Sequence, residues 1–273
     1  MGIYVIAHRV NDATKLRRAL KWGANAYEID VTRKSSGYKA WHGSEAIDWN
    51  SANLEPHLDM ITTALRTVAG RRVSLLIVDL KYNQNQKIRE EHINEVRNLV
   101  QTRVLDVING PNPNPRRGLF ALYCVTKLTE RRMCRAIATQ GLGSHEGINF
   151  DAWANSNANR TNPRTARDWR DDNEITNFMY STGITSTYHS KRAKRYAREA
   201  HALSLADPSR RLSTYAWTFN RANNASIWMR DHGHDGLMGN MARNFGHIPG
   251  HMSFYGLGDE SLTTRTMRPP FLD

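Results

Sequence analysis

Strand-length apolar runs alternate with helical patterns along nearly the whole chain, and this alternation constrains the fold more than any other feature. The apolar runs fall at about 3–7, 26–31, 73–80, 119–124, 147–150, 182–187, 214–219 and 236–238. Helical spacing of apolar residues lies between them, at about 13–22, 56–69, 93–107, 129–139, 190–203 and 222–232. Strands that alternate with helices pair in parallel. Eight such units in 273 residues predict an α/β fold, a closed (β/α)8 barrel. Lys21-Trp22-Gly23-Ala24-Asn25-Ala26 and Asp231-His232-Gly233-His234-Asp235-Gly236 repeat one helix-to-strand turn, as stacked units require. The barrel is expected over 1–242. An Asn/Arg-rich loop is expected from Trp153, and residues 243–273, which lack a period, are expected to pack on the barrel as a tail.

The apolar runs end in the wrong chemistry for a plain core. The first delivers His8 and Arg9. The second carries Glu28 and Asp30 and leads to Trp41-His42-Gly43. The third ends Asp79-Leu80-Lys81. Alternate residues of a strand share a face, so Glu28 and Asp30 point together, about 7 Å apart at their Cα atoms. Two buried carboxylates repel each other and lose hydration unless a cation joins them. Asp79 completes a three-oxygen set. Hard oxygen ligands suit Mg²⁺ better than Zn²⁺. Of the eleven histidines, His8 and His42 are the candidate acid–base pair, because the barrel brings their loops to the face that carries the acids. Lys81 can neutralise a carboxylate or hold a phosphate oxygen. Tyr215 and Trp217 share the inward face of the seventh strand, where an aromatic surface can stack on a cationic headgroup. Asn240 follows the eighth strand.

A net charge of +12 favours an anionic partner. The basic residues are spread along the chain rather than gathered into an arm, so no nucleic-acid partner is expected. No run approaches the length of a membrane span. The two cysteines, Cys124 and Cys134, are expected to be buried free thiols. Met1-Gly2 leads straight into a strand, which fits either a cytoplasmic protein or the mature form of a secreted one.

Ala7-His8-Arg9, Gly23 through Val31, Trp41-His42-Gly43, Val78 through Lys81, Tyr215 through Thr218 and Asp235 through Asn240 resemble the sphingomyelinase D/phospholipase D toxin family. That family belongs with the glycerophosphodiester phosphodiesterases. The resemblance implies a secreted lyase: a Mg²⁺-dependent (β/α)8 enzyme, a monomer, acting on phospholipid or sphingolipid at a peripheral membrane surface. It implies that Glu28, Asp30 and Asp79 hold Mg²⁺, that His8 and His42 do the chemistry at phosphorus, and that Lys81, Tyr215, Trp217 and Asn240 surround phosphate and headgroup. It also implies loss of choline or ethanolamine by attack of the substrate's own hydroxyl, giving a cyclic phosphate. Two departures stand out. Residues 43–72 hold no cysteine, where spider members carry a disulfide, and Asn220 stands where the family usually has an aspartate. The alternative is a glycerophosphodiesterase acting on soluble diesters. Against it, Arg9 is followed by Val10-Asn11-Asp12 rather than glycine, no Pro-Glu-Asn segment occurs, and Gly43 follows His42.

Overall fold

Parallel pairing runs from strand to strand around a closed ring. The computed structural model describes residues 4–42, 51–81, 90–110, 118–125, 141–153, 161–183, 191–219 and 234–239. In chain order the elements are β1 (Tyr4–Ala7), α1 (Ala13–Lys21), β2 (Ala26–Lys34), β3 (Gly37–Ala40), β4 (Ala52–Asn53), α2 (Leu54–Leu65), β5 (Leu75–Lys81), α3 (Glu90–Val100), α4 (Asp106–Asn109), β6 (Phe120–Val125), β7 (Glu146–Trp153), α5 (Pro163–Asp172), β8 (Phe178–Gly183), α6 (Lys191–Ala206), β9 (Ser213–Phe219) and β10 (Gly236–Gly239). The ring order is β1-β2-β5-β6-β7-β8-β9-β10, with β10 returning to β1. This is the expected (β/α)8 TIM barrel.

Two apolar layers follow from the two-residue period of a strand. Tyr4, Ile6, Ala26, Leu75, Ile77, Phe120, Leu122, Cys124, Met179, Tyr215 and Met238 fill the barrel interior. Their neighbours Val5, Tyr27, Ile29, Val31, Leu76, Val78, Tyr123 and Phe150 face outward, onto Leu16 of α1, Leu58 and Ile61 of α2, and Ile93 and Val96 of α3. Both strand faces are buried, so the strands read as unbroken apolar runs. Cys124 is a buried free thiol.

The structure departs from the expected elements in four places. β2 runs to Lys34, turns through Ser35-Ser36, and returns as β3, which pairs antiparallel with its end. Gly37 sits at φ +109 in that turn, a conformation costly for any other residue. A further helix, α5, lies where only a loop was expected; Asn162 caps it by accepting from the Thr165 N–H, and Pro163 opens it. β8 lies at Phe178–Gly183 rather than 182–187. The long third helix is α3 continued through a π turn, Gln101–Leu105, into α4. The helices expected at 129–139 and 222–232, Cys134, and the tail at 243–273 lie outside the described residues.

Away from the mouth, one buried ion pair ties α3 to β7. Arg97 donates to Glu146 at 2.7 Å, and Tyr123 and the Gly143 N–H donate to the same carboxylate. Burial pushes Glu146 up, but these hydrogen bonds hold it below the usual carboxylate range. Its stabilising share is therefore present above its unfolded value and lost as pH falls through the folded one. Glu146→Gln is expected to cost about 3 kcal/mol at neutral pH in urea unfolding, because Arg97 stays buried without its counter-charge. The gap between variant and wild type should narrow below about pH 4.

Candidate active site

The sequence-predicted residues that the structure describes gather toward the C-terminal end of the barrel, the end at which barrels of this kind carry their sites, with Tyr215 one layer below. Glu28 and Asp30 point inward from β2, and Asp79 from β5, where Asp30 and Asp79 are register partners. One carboxylate oxygen from each lies within 4.8 Å of the others. Glu28 and Asp30 are buried, at 2% and 0% exposure. Burial and then the two neighbouring acids raise Glu28 well above its ordinary value. Burial also raises Asp79. Burial pushes Asp30 up as well, but Lys81, His42, Asn11 and His8 hold it low.

Lys81 is the cation built into this cluster. It pairs with Asp79 and lies 3.3 Å from Asp30 Oδ1. Burial works against its charge, but Asp79, Asp30 and Glu28 together raise it above an ordinary lysine. One ammonium thus faces three carboxyl groups. Asp30 Oδ1 is buried and accepts no hydrogen bond among the described residues. An under-satisfied oxygen among three clustered acids is what a hard divalent cation would complete, so the residues fit a metal centre.

Three residues to which the sequence assigned no role in the site, Asn11, His57 and Arg9, hold this arrangement. Asn11 donates to Asp30 Oδ2 at 2.7 Å and accepts from the Asp30 N–H at 2.9 Å, leaving Oδ1 as the oxygen without a hydrogen bond. His57 of α2, buried, bonds the Val10 carbonyl through Nε2 at 2.7 Å and pins the loop that carries His8 to Asn11. Burial lowers His57, which fits a neutral ring. Arg9 adopts φ +57, its N–H donates to Glu28 Oε2 at 2.6 Å, and its guanidinium donates to His42 Nε2 at 2.7 Å. A guanidinium only donates, so His42 Nε2 is here the acceptor and the ring proton sits on Nδ1.

The hairpin explains how His42 arrives. β3 runs back along β2 until the Trp41 N–H donates to the Asp30 carbonyl at 3.0 Å, which returns the next residue to the level of the acids. His8 Nε2 lies 3.9 Å from Glu28 Oε2, and the His8 N–H donates to the Gly239 carbonyl.

Across the mouth stands Asp151, at the end of β7. It accepts from Trp217 Nε1 at 3.0 Å and from Ser181 Oγ at 3.1 Å. Burial and Asp79 push it up to about 7 against Lys81, Ser181 and Trp217. Gly183 is the register partner of Trp217, and a Cβ there would collide with the Trp217 backbone and ring. Glycine thus lets the indole sit close against β8. Tyr215, on the layer below, is 2% exposed, and Asn149 donates to its hydroxyl at 2.7 Å, so it floors the site. Asn240 and Asn220 lie outside the described residues. The inward alternation of β7 (Asn149, Asp151) was the signal that could have found Asp151.

Metal binding should displace protons from Glu28 and Asp79, so the affinity for a divalent cation should rise with pH. Calorimetry in two buffers of different ionisation enthalpy measures this. Asn11→Ala, which frees Asp30 to turn, is expected to weaken binding about 10- to 100-fold. Binding that releases no protons would contradict the assignment.

No curated protein sequence matches the chain. Among solved structures, a glycerophosphodiester phosphodiesterase from Parabacteroides distasonis superposes with a TM-score of 0.58 at 12% identity, covering 88% of this chain and 94% of its own. An Oleispira antarctica phosphodiesterase, solved with its product sn-glycerol-3-phosphate, gives 0.57 at 13% identity, with 91% and 96% covered. At this identity the likeness is one of fold. The family model for sphingomyelinase D/phospholipase D matches residues 1–247, nearly the whole chain, and spans every element of the site described above. The chain belongs to the sphingomyelinase D/phospholipase D family.

Proposed function

We propose that this phosphodiesterase is a Mg²⁺-dependent phospholipase D of the sphingomyelinase D type. In this reading it removes choline or ethanolamine from sphingolipids and lysophospholipids as a lyase, giving a cyclic phosphate. The observation that carries the reading is the placement of Glu28, Asp30 and Asp79 within 4.8 Å of one another, in a barrel mouth that also holds His8 and His42. The bound cation would neutralise charge on the phosphoryl oxygens. Lys81 and Arg9 add fixed positive charge at the same place.

His8 and His42 act as the acid–base pair in this reading. One takes the proton of the substrate hydroxyl as its oxygen bonds to phosphorus, and the other protonates the departing headgroup oxygen. The positioned hydroxyl outcompetes water because it is already held beside the phosphorus. His42 Nε2 takes part once it is released from Arg9, whose guanidinium is then free for a phosphate oxygen. The substrate lies in a peripheral lipid surface and the enzyme works as a secreted monomer. No described helix is long and apolar enough to cross a membrane.

Phosphorus NMR on sphingomyelin, lysophosphatidylcholine and glycerophosphocholine side by side tests the reaction. A cyclic phosphate from the first two is expected at the earliest times. An open phosphomonoester alone, or preference for the soluble diester, would favour the glycerophosphodiesterase reading instead. His8→Ala and His42→Ala should each lower turnover at least about 10²-fold, and the double variant should be little worse than either.

Trp217 with Asp151 supplies an aromatic face beside an anion, which suits a quaternary or primary ammonium headgroup. Because the carboxylate attracts the headgroup, KM for choline substrates should fall as pH rises through about 7, where Asp151 loses its proton. Asp151→Asn should raise KM about tenfold and remove that pH dependence, with a smaller effect on kcat. An unchanged KM profile would place headgroup recognition elsewhere.

A further inference from the structure

Several of the basic side chains packed around this barrel have an acid beside them. Arg97 has Glu146, Arg103 has Glu55 and Asp59, Arg170 and Arg210 share Asp171, and Arg211 has Asp235. The first turns of α6 gather basic side chains with no acid among them. Its buried stripe is Ala193, Tyr196, Ala197, Ala200 and Leu203. Its exposed face carries Lys191, Lys194, Arg195 and Arg198, none with a carboxylate partner among the described residues.

Topology places these cations at the mouth. β8 and β9 are parallel, so α6 must carry the chain from the C-terminal end of β8 back to the start of β9. The N-terminal half of α6 therefore stands at the end where Gly183 meets Trp217. α5 packs alongside α6, and its own first turn brings exposed Arg164 to the same end. The four α6 cations span about 10 Å of helix axis. They also sit where a helix macrodipole repels positive charge, and the first turn of α6 holds no acid to offset it. Local helix stability does not account for this placement. Arg17, Arg18 and Lys21 of α1, by contrast, lie toward the helix C-terminus, where the dipole favours them.

We infer that the exposed face of the N-terminal half of α6, with Arg164, is a docking surface for an anionic lipid bilayer. It would hold the barrel mouth against the surface that contains the substrate. The inference rests on the lipid-substrate reading above, which supplies the partner; the unpaired charge and its mouth-side position supply the site.

The test is sedimentation of the full chain, in chelator, with vesicles of phosphatidylcholine alone or mixed with phosphatidylserine. The variant Lys191→Gln/Lys194→Gln/Arg195→Gln/Arg198→Gln should bind the mixed vesicles at least about tenfold more weakly at low salt. The difference should shrink as salt screens the surface. Lys194→Gln/Arg198→Gln should lose an intermediate share, which guards against a misfolded fourfold variant. Arg17→Gln/Arg18→Gln/Lys21→Gln removes nearly as much charge from α1 and should bind within about twofold of wild type. Turnover of water-soluble glycerophosphocholine or monomeric lysophosphatidylcholine should be unchanged in all three variants. Equal loss in the α1 and α6 variants, or no loss in the α6 variants, would overturn the inference. So would an α6 loss confined to binding of a random-sequence RNA oligonucleotide. A wild-type protein that turns over no choline diester would overturn the proposed reaction and would leave the vesicle comparison to decide the surface by itself.

Discussion

The energetic problem around which the mouth is built is the burial of Glu28, Asp30 and Asp79 side by side. Removing a single carboxylate from water costs several kcal/mol even after relaxation, and three together also repel one another. The surroundings answer in layers. Lys81 reaches back from the same strand face as Asp79, Asn11 clamps Asp30 through both backbone and side chain, and the Arg9 N–H caps Glu28. Even so, Glu28 and Asp79 remain raised, so the cluster is not neutralised by the protein alone. Three clustered acids of this kind could hold a divalent cation.

The rest of the mouth follows from where that cluster sits. β2 projects past its neighbours, which gives β3 an edge to pair with and carries His42 back to the acids. The Arg9 kink then joins the two histidine loops, since one residue contacts both Glu28 and His42. Opposite them, Asp151 and Trp217 form a second polar pole on β7 and β9.

Much of the site was legible because strand ends leave a mark in the sequence. An acid two positions from another acid in an apolar run has no ordinary core explanation, and the barrel topology places such residues at one end. Other elements were hidden by their composition. α5 has a largely polar outer face, and Pro163 and Ala166 with the aliphatic part of Arg167 make too thin an apolar stripe to be read as periodic, although Asn162-Pro163 was a start signal. β8 lies earlier than the 182–187 run suggested, because Phe178-Met179-Tyr180 is the segment that pairs with β7 and β9.

By itself the sequence determined the (β/α)8 alternation, the inward face of β2 and β5, and therefore the three acids and Lys81, because a two-residue period fixes which side chains share a face. It also marked His8, His42 and Trp217 as strand-end residues. Only the tertiary structure decided their contacts. That Arg9 holds His42, that His57 anchors the His8 loop, and that Asp151 rather than a neighbour in sequence receives the Trp217 indole are pairings across 33, 47 and 66 positions of chain. Such contacts depend on strand register and on the left-handed turn at Arg9, which no local pattern encodes.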